Sequence, residues 1–147
     1  MPGAGMPRTA EFRGLRVALG ICYDIEFPEY ARAAARAGAD LLCIPTAVPA
    51  TGDVGGPQLL HTYNAERIST LLVPARALEN GVYIAYANHS GAGFTGTSVI
   101  ASPYGTLLAA AGADGEELLL TDIHPDEVQR ARRINTYAHD MRPELYR

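Results

Sequence analysis

A strand, helix, strand unit in the first third of the chain narrows the available folds more than any other feature. Leu15 to Ile21 (LRVALGI) is an apolar, partly β-branched run of strand length. Pro28 to Ala37 (PEYARAAARA) opens on proline, continues with good helix formers and stops at Gly38. Leu41 to Pro45 (LLCIP) is a second continuous apolar run, the pattern of a strand buried in a sheet. Two strands joined through a helix in this way are parallel neighbours, so Arg13 to Pro45 predicts an α/β fold.

The join between the first strand and the helix, Gly20 to Glu29 (GICYDIEFPE), carries a cysteine at the turn. A strand-to-helix elbow lifts a side chain out of the sheet while nearby backbone N–H groups point the same way. A thiol at Cys22 and an oxyanion donor at the N–H of Tyr23 can then converge on one carbonyl carbon. The surrounding charges oppose a thiolate: Asp24, Glu26 and Glu29 are all acidic. A like charge some 4 Å away is worth about 4 kcal/mol at an effective dielectric near 20. The helix N-terminus returns only about 0.3–1 kcal/mol. An activating cation or base must come from elsewhere.

Met1 to Glu11 reads as an irregular leader, with Met6 as an alternative start. After the opening unit, Ala47 to Pro57 is a Pro- and Gly-rich loop, and Leu59 to Glu79 is a helical stretch that Pro74 should kink or split. Asn80 and Gly81 end that helix. Val82–Asn88, Thr97–Ala101, Leu107–Ala111 and Glu117–Ile123 are strand candidates, which brings the expected number to about six, and Pro103 to Gly105 is a turn between two of them. Asp126 to Ile134 reads as a last helix, acids leading and arginines trailing. Residues 12–147 then make one domain or part of one.

Composition removes several functions. A net charge of −4 without a basic run argues against nucleic acid, whose phosphates demand clustered Lys or Arg. No apolar run reaches the eighteen or so residues of a membrane span, and the opening MPGAGMPRTAEF lacks a secretory pattern, so a cytoplasmic location is expected. The two cysteines, Cys22 and Cys43, make no disulfide framework, and His61, His89, His124 and His139 show no metal-ligand spacing. No cofactor is expected. All twelve basic residues are arginine; the chain contains no lysine.

GICYDIEFPE resembles the cysteine motif of the nitrilase superfamily, the carbon-nitrogen hydrolases that cleave amides, nitriles and carbamoyl groups through a thioester. The resemblance continues in order through PARALENGVYIAYAN, GTSVIASPYGTLLA and DMRPELY, and covers Phe12 to Arg147. It is a likeness to the second half of the family's domain, which implies the second half of an α-β-β-α sandwich. It implies Cys22 as nucleophile, with the family's oxyanion-binding lysine and general-base glutamate lying in the first half. A half sandwich would leave apolar faces uncovered, so self-association, a separate N-terminal half, or a rearrangement is expected. Two functions follow: hydrolysis of a small amide or nitrile, or a non-catalytic remnant that keeps the fold.

The resemblance also nominates residues around Cys22. Glu26 stands where many relatives have an arginine. Facing the pocket it would repel anions and favour a neutral or amine-bearing amide; otherwise it is an N-terminal helix charge. Thr46 is either a pocket-lining hydroxyl or a strand-end cap. Asn88 and His89, closing the VYIAYAN strand, are substrate-binding candidates, and a Cys22–His89 dyad is a minor alternative. Cys43 reads as core, and Arg76 and Glu79 as supports between helices.

Overall fold

The computed structural model describes residues 5–50 and 64–145. Six strands form one mixed sheet in sequence order: β1 (Thr9–Phe12), β2 (Leu15–Leu19), β3 (Leu41–Thr46), β4 (Tyr83–Asn88), β5 (Val99–Ala101) and β6 (Leu107–Ala110). β2, β3 and β4 run parallel, and β1, β5 and β6 join antiparallel. The α/β expectation and the opening parallel unit are both realised.

Two helices cover one face, α1 (Pro28–Arg36) and α2 (Val73–Asn80). They turn inward the small and branched residues Ala31, Ala34, Val73 and Ala77, each fully buried, so the helices approach the sheet closely. A cross-strand row on that face, Ala18, Leu42, Ile84 and Ala101, is likewise 0% exposed. Pro74 lies at the start of α2, directly after a π-helical turn at Ile68–Leu72, and Gly81 ends α2 in the left-handed region (φ 57°), as the sequence predicts. Two further helices follow the sheet, α3 (Pro125–Ile134) and α4 (Tyr137–Asp140).

The next row shows the opposite condition. Leu19, Cys43, Ala85, Ile100 and Ala109 are register partners on the other face, and none is fully buried; Leu19 is 69% exposed. One face of the sheet is a finished core; the other stays partly exposed along this row, while Tyr83, two residues before Ala85 on the same face, is 3% exposed. Cys43 sits in the open row and is half-buried, not core, although burial still pushes its thiol pKa up.

Two element expectations change. Thr9–Phe12 is a strand, where the leader was expected to be irregular. A tight Arg13–Gly14 turn with both φ values positive folds it back on β2. Glu117–Ile123, expected as a strand, forms none and pairs with no strand among the described residues. The stretch 51–63, including His61 and the start of the expected helix from Leu59, lies outside the described residues.

Candidate functional site

The parallel strands β2, β3 and β4 all end on one edge of the sheet, where crevices form in sheets of this kind. Gly20–Cys22 continues β2 there, Thr46 ends β3 and Asn88 ends β4. The sequence-predicted residues are thus gathered by topology before any side chain is considered.

Cys22 begins a 3-10 turn, Cys22–Glu26, and has a φ of +51°. Left-handed backbone is rare outside glycine and costs a cysteine roughly 1–2 kcal/mol. Such strain persists only where the surroundings impose it. Here four contacts do so. The Asp24 carboxylate accepts the Ile21 N–H at 2.8 Å, and the Asp24 N–H donates to the Ile21 carbonyl at 3.1 Å, closing the loop around Cys22. The Tyr30 hydroxyl donates to the Leu19 carbonyl, and Arg76 Nη2 donates to the Glu26 carbonyl at 3.0 Å from α2. The elbow is fixed at its entrance, its middle and its exit.

As a first-turn group, the Tyr23 N–H has no partner within the turn, and it makes no hydrogen bond to a described residue. The Cys22 side chain is half-exposed beside it. A thiol and an unengaged donor at a rigid turn form the geometry for attack on a carbonyl. Tyr23's own ring is exposed and packs edge-on against Phe27, with centroids 4.8 Å apart.

Gly20 is required by close approach. A Cβ there would lie 2.7 Å from both Ile44 Cδ1 and Tyr30 Cε1. Gly20→Ala is therefore expected to destabilise the fold by about 1–3 kcal/mol through overpacking. Urea denaturation measures it, and an unchanged midpoint would mean that the ring and the isoleucine move aside freely.

Glu26 is partly buried, and desolvation raises its carboxyl pKa above the ordinary 4.5. The folded state therefore holds that proton more tightly than the unfolded chain does. The stabilisation is fully present below about pH 4.5 and is lost as pH rises through the folded value. Glu26→Gln should raise the melting temperature at pH 7, with the difference shrinking toward zero below pH 4.5 in a thermal-shift titration.

Thr46 donates its hydroxyl to the Ile44 carbonyl at 3.1 Å, the strand-end arrangement. Asn88 is used as a bracket: Oδ1 accepts the Val48 N–H at 3.0 Å, and Nδ2 donates to Thr95 Oγ1 at 2.7 Å and to the Gly96 carbonyl at 2.5 Å. Its amide thus fixes two loops at the site's edge. His89 donates its N–H to the Thr46 carbonyl at 3.0 Å, and its exposed ring packs on Phe94. It makes no hydrogen bond to Cys22. β2 and β4 are two strand spacings apart, about 10 Å, beyond the reach of such a bond, so the structure does not form the Cys22–His89 dyad. A cleft of about 300 Å³ opens beside His89, lined by Asn88, Ser90, Thr97, Ser98 and Glu117.

Several contributors were not foreseen. Asp24 entered the sequence reading only as a charge hostile to the thiolate, yet it is the cap of the elbow; an acid three residues after Ile21 is the available signal. Arg76 and Glu79 were expected as supports. They form a 3.3 Å pair that Arg32 of α1 joins at 3.8 Å, while Arg76 also reaches Glu26 across 50 residues, which no local pattern records. Among the described residues no three His, Cys, Asp or Glu gather closely enough to hold a metal, and no helix is long and apolar enough to cross a membrane.

A family model described as carbon-nitrogen hydrolase matches residues 1–133. An (R)-stereoselective amidase of Pseudomonas sp. is 34% identical over 139 residues, covering 91% of this chain and 46% of the relative. The human deaminated glutathione amidase is 30% identical, covering 99% of the chain and 42% of the relative. Among solved structures, an amidase from Nesterenkonia sp. AN1 superposes with a TM-score of 0.77 at 36% identity, over 99% of this chain and 48% of that one. A variant of that enzyme carries the acetamide moiety of fluoroacetamide covalently at its active-site cysteine. The chain spans about half the length of these relatives. It belongs to the carbon-nitrogen hydrolase family.

Proposed function

We propose that this chain is the nucleophile-bearing second half of a carbon-nitrogen hydrolase domain of the nitrilase superfamily, with residues 12–147 as that half, and that it hydrolyses a small amide through a thioester on Cys22. The supporting observation is the left-handed Cys22 in a capped elbow beside the unengaged Tyr23 N–H. In the reaction the deprotonated sulfur bonds to the carbonyl carbon, and the developing oxyanion takes the Tyr23 N–H. The C–N bond then breaks as nitrogen accepts a proton and leaves as ammonia or an amine. Water next attacks the thioester, releasing the acid and restoring the thiol.

The proton transfers need a base, and the oxyanion needs a cation. Their residue types in the resembling family are glutamate and lysine, and this chain has no lysine. Activity therefore depends on the rest of the domain. Glu26 at the elbow disfavours anionic substrates, which leaves neutral or amine-bearing amides. Both thiols are free, and the reducing cytoplasm would keep Cys22 competent.

The test is acylation with a p-nitrophenyl ester in the presence and absence of the complementary half of the domain. A burst of one equivalent of nitrophenol, with a hydroxylamine-sensitive acyl group on the Cys22 peptide and not on Cys43, is expected with the half present. If Cys22 is not acylated and no amide turns over in the completed protein, the chain is a non-catalytic remnant of the fold.

A further inference from the structure

Pro45 occupies a position in the sheet where a neighbouring strand calls for a backbone donor. β3 continues past it to Thr46, and Ile44, Pro45 and Thr46 are in register with Tyr86, Ala87 and Asn88 of β4. On its other side β3 loses its neighbour one residue earlier, since the β2 register ends with Leu19 opposite Cys43. The hydrogen bonds of β3 tell the two sides apart. The Cys43 carbonyl accepts the Gly20 N–H at 3.1 Å, so residue 43 faces β2; the Thr46 carbonyl accepts the His89 N–H at 3.0 Å, so residue 46 faces β4. Backbone groups alternate in direction along a strand, and Pro45 therefore faces β2.

In a parallel ladder, a residue that donates to one residue of its neighbour accepts from the residue two further on. Gly20 donates to Cys43, so its carbonyl calls for the N–H of residue 45, and proline has none. No backbone N–H among the described residues bonds to that carbonyl, and the next rung, from the Cys22 N–H to the Pro45 carbonyl, is not formed. The backbone on each side of Gly20 finds its partners outside the ladder. The Leu19 carbonyl accepts the Tyr30 hydroxyl of α1, and the Ile21 N–H donates to Asp24 Oδ2 at 2.8 Å. Cys22 then takes its φ of +51°, far from the negative φ of a strand. Core packing does not call for proline here: Pro45 is exposed, on the face opposite the buried Leu42 and Ile44.

We propose that Pro45 is a positioning residue for the Cys22 thiol. By withholding one N–H from the Gly20 carbonyl it ends the β2 ladder two residues before Cys22, and the chain turns into the elbow instead of continuing as a strand. With a donor at position 45, the Gly20 carbonyl gains its rung and Cys22 is drawn beside Thr46 in extended backbone, turned away from the unengaged Tyr23 N–H. The role in catalysis rests on the reading of Cys22 as the nucleophile.

The experiment uses the full chain with Pro45→Ala, and Pro45→Val as a second variant with a stronger strand preference should the first not fold. NMR follows exchange of the amide at position 45, and peptide mass spectrometry follows iodoacetamide alkylation of Cys22 and Cys43 at one fixed pH. The new amide should exchange about tenfold or more slowly than in a free peptide, because it enters the ladder. Alkylation of Cys22 should slow by about threefold or more, since small displacements of a reacting group have large effects on rate. Cys43, which lies in the strand on either reading, should keep its rate. A proline that serves stability alone gives a different result, because a loosened fold exposes both thiols and quickens both. Three results overturn the proposal: an amide at 45 that exchanges freely, Cys22 alkylation that is unaltered or faster, or a change that Cys43 shares. Alkylation reads where the thiol stands and requires no turnover, so failure of the Cys22 chemistry is scored separately by the acylation test.

Discussion

In the completed protein, Cys22→Ala is expected to remove amide turnover by on the order of 10⁴-fold or more, because loss of a nucleophile leaves only binding and oxyanion stabilisation. The fold should survive, since the Cys22 side chain is half-exposed and makes no hydrogen bond among the described residues. The backbone supplies a sharper control. At φ +51°, glycine relieves the strain that both cysteine and alanine bear. Cys22→Gly should therefore be more stable than Cys22→Ala, by about 1 kcal/mol, while being equally inactive. Stability from denaturant curves and turnover of a neutral amide measure the pair together. Substantial turnover in Cys22→Ala would remove the thioester mechanism, and equal stability of the two variants would mean the elbow imposes no left-handed conformation.

The second large effect is expected at Arg76. Its side chain is 12% exposed; it pairs with Glu79 at 3.3 Å and donates to the Glu26 carbonyl at 3.0 Å. Arg76→Ala leaves a partly buried Glu79 with Arg32 at 3.8 Å as its remaining cation and the Asn80 amide at 3.4 Å, and the end of the elbow without its donor. A loss of about 2–3 kcal/mol follows from an unpaired, partly buried charge and a lost charge-assisted hydrogen bond. Arg76→Lys should recover only part of it, because an ammonium cannot span both partners as a guanidinium does. The distinguishing readout is the iodoacetamide labelling rate of Cys22 under native conditions. If Arg76 positions the elbow, that rate changes in Arg76→Ala and returns toward normal in Arg76→Lys. A loss of stability with unaltered labelling would make Arg76 a packing residue between α1 and α2 only.

The helices and central strands were legible for physical reasons that can be named. Pro28 and Gly38 bracket α1 because proline costs nothing where the first N–H groups are unpaired, and glycine accepts the exit conformation. LLCIP reads as a strand because its apolar run is too short for a helix. β1 was missed because TAEF is exposed along nearly all its length and so lacks an inward pattern; its pairing depends on the Arg13–Gly14 turn. Glu117–Ile123 was read as a strand from a valid local signal, but a strand also needs a neighbour, and no sequence window contains one.

The candidate site divides in the same way. The amino-acid sequence alone determined that a cysteine lies between a strand and a helix, that no lysine accompanies it, and that the chain builds an α/β sheet, since these depend on residue type and short-range order. Tertiary structure decided the rest. It placed Cys22, Thr46 and Asn88 on one edge because the three strands are parallel, kept His89 two strands from the thiol, and converted Asp24 from a hostile charge into a cap. It also buried one face of the sheet under α1 and α2 and left the Leu19–Cys43–Ala85–Ile100 row of the other only partly covered, because apolar alternation predicts two faces for a strand but does not say what will cover each.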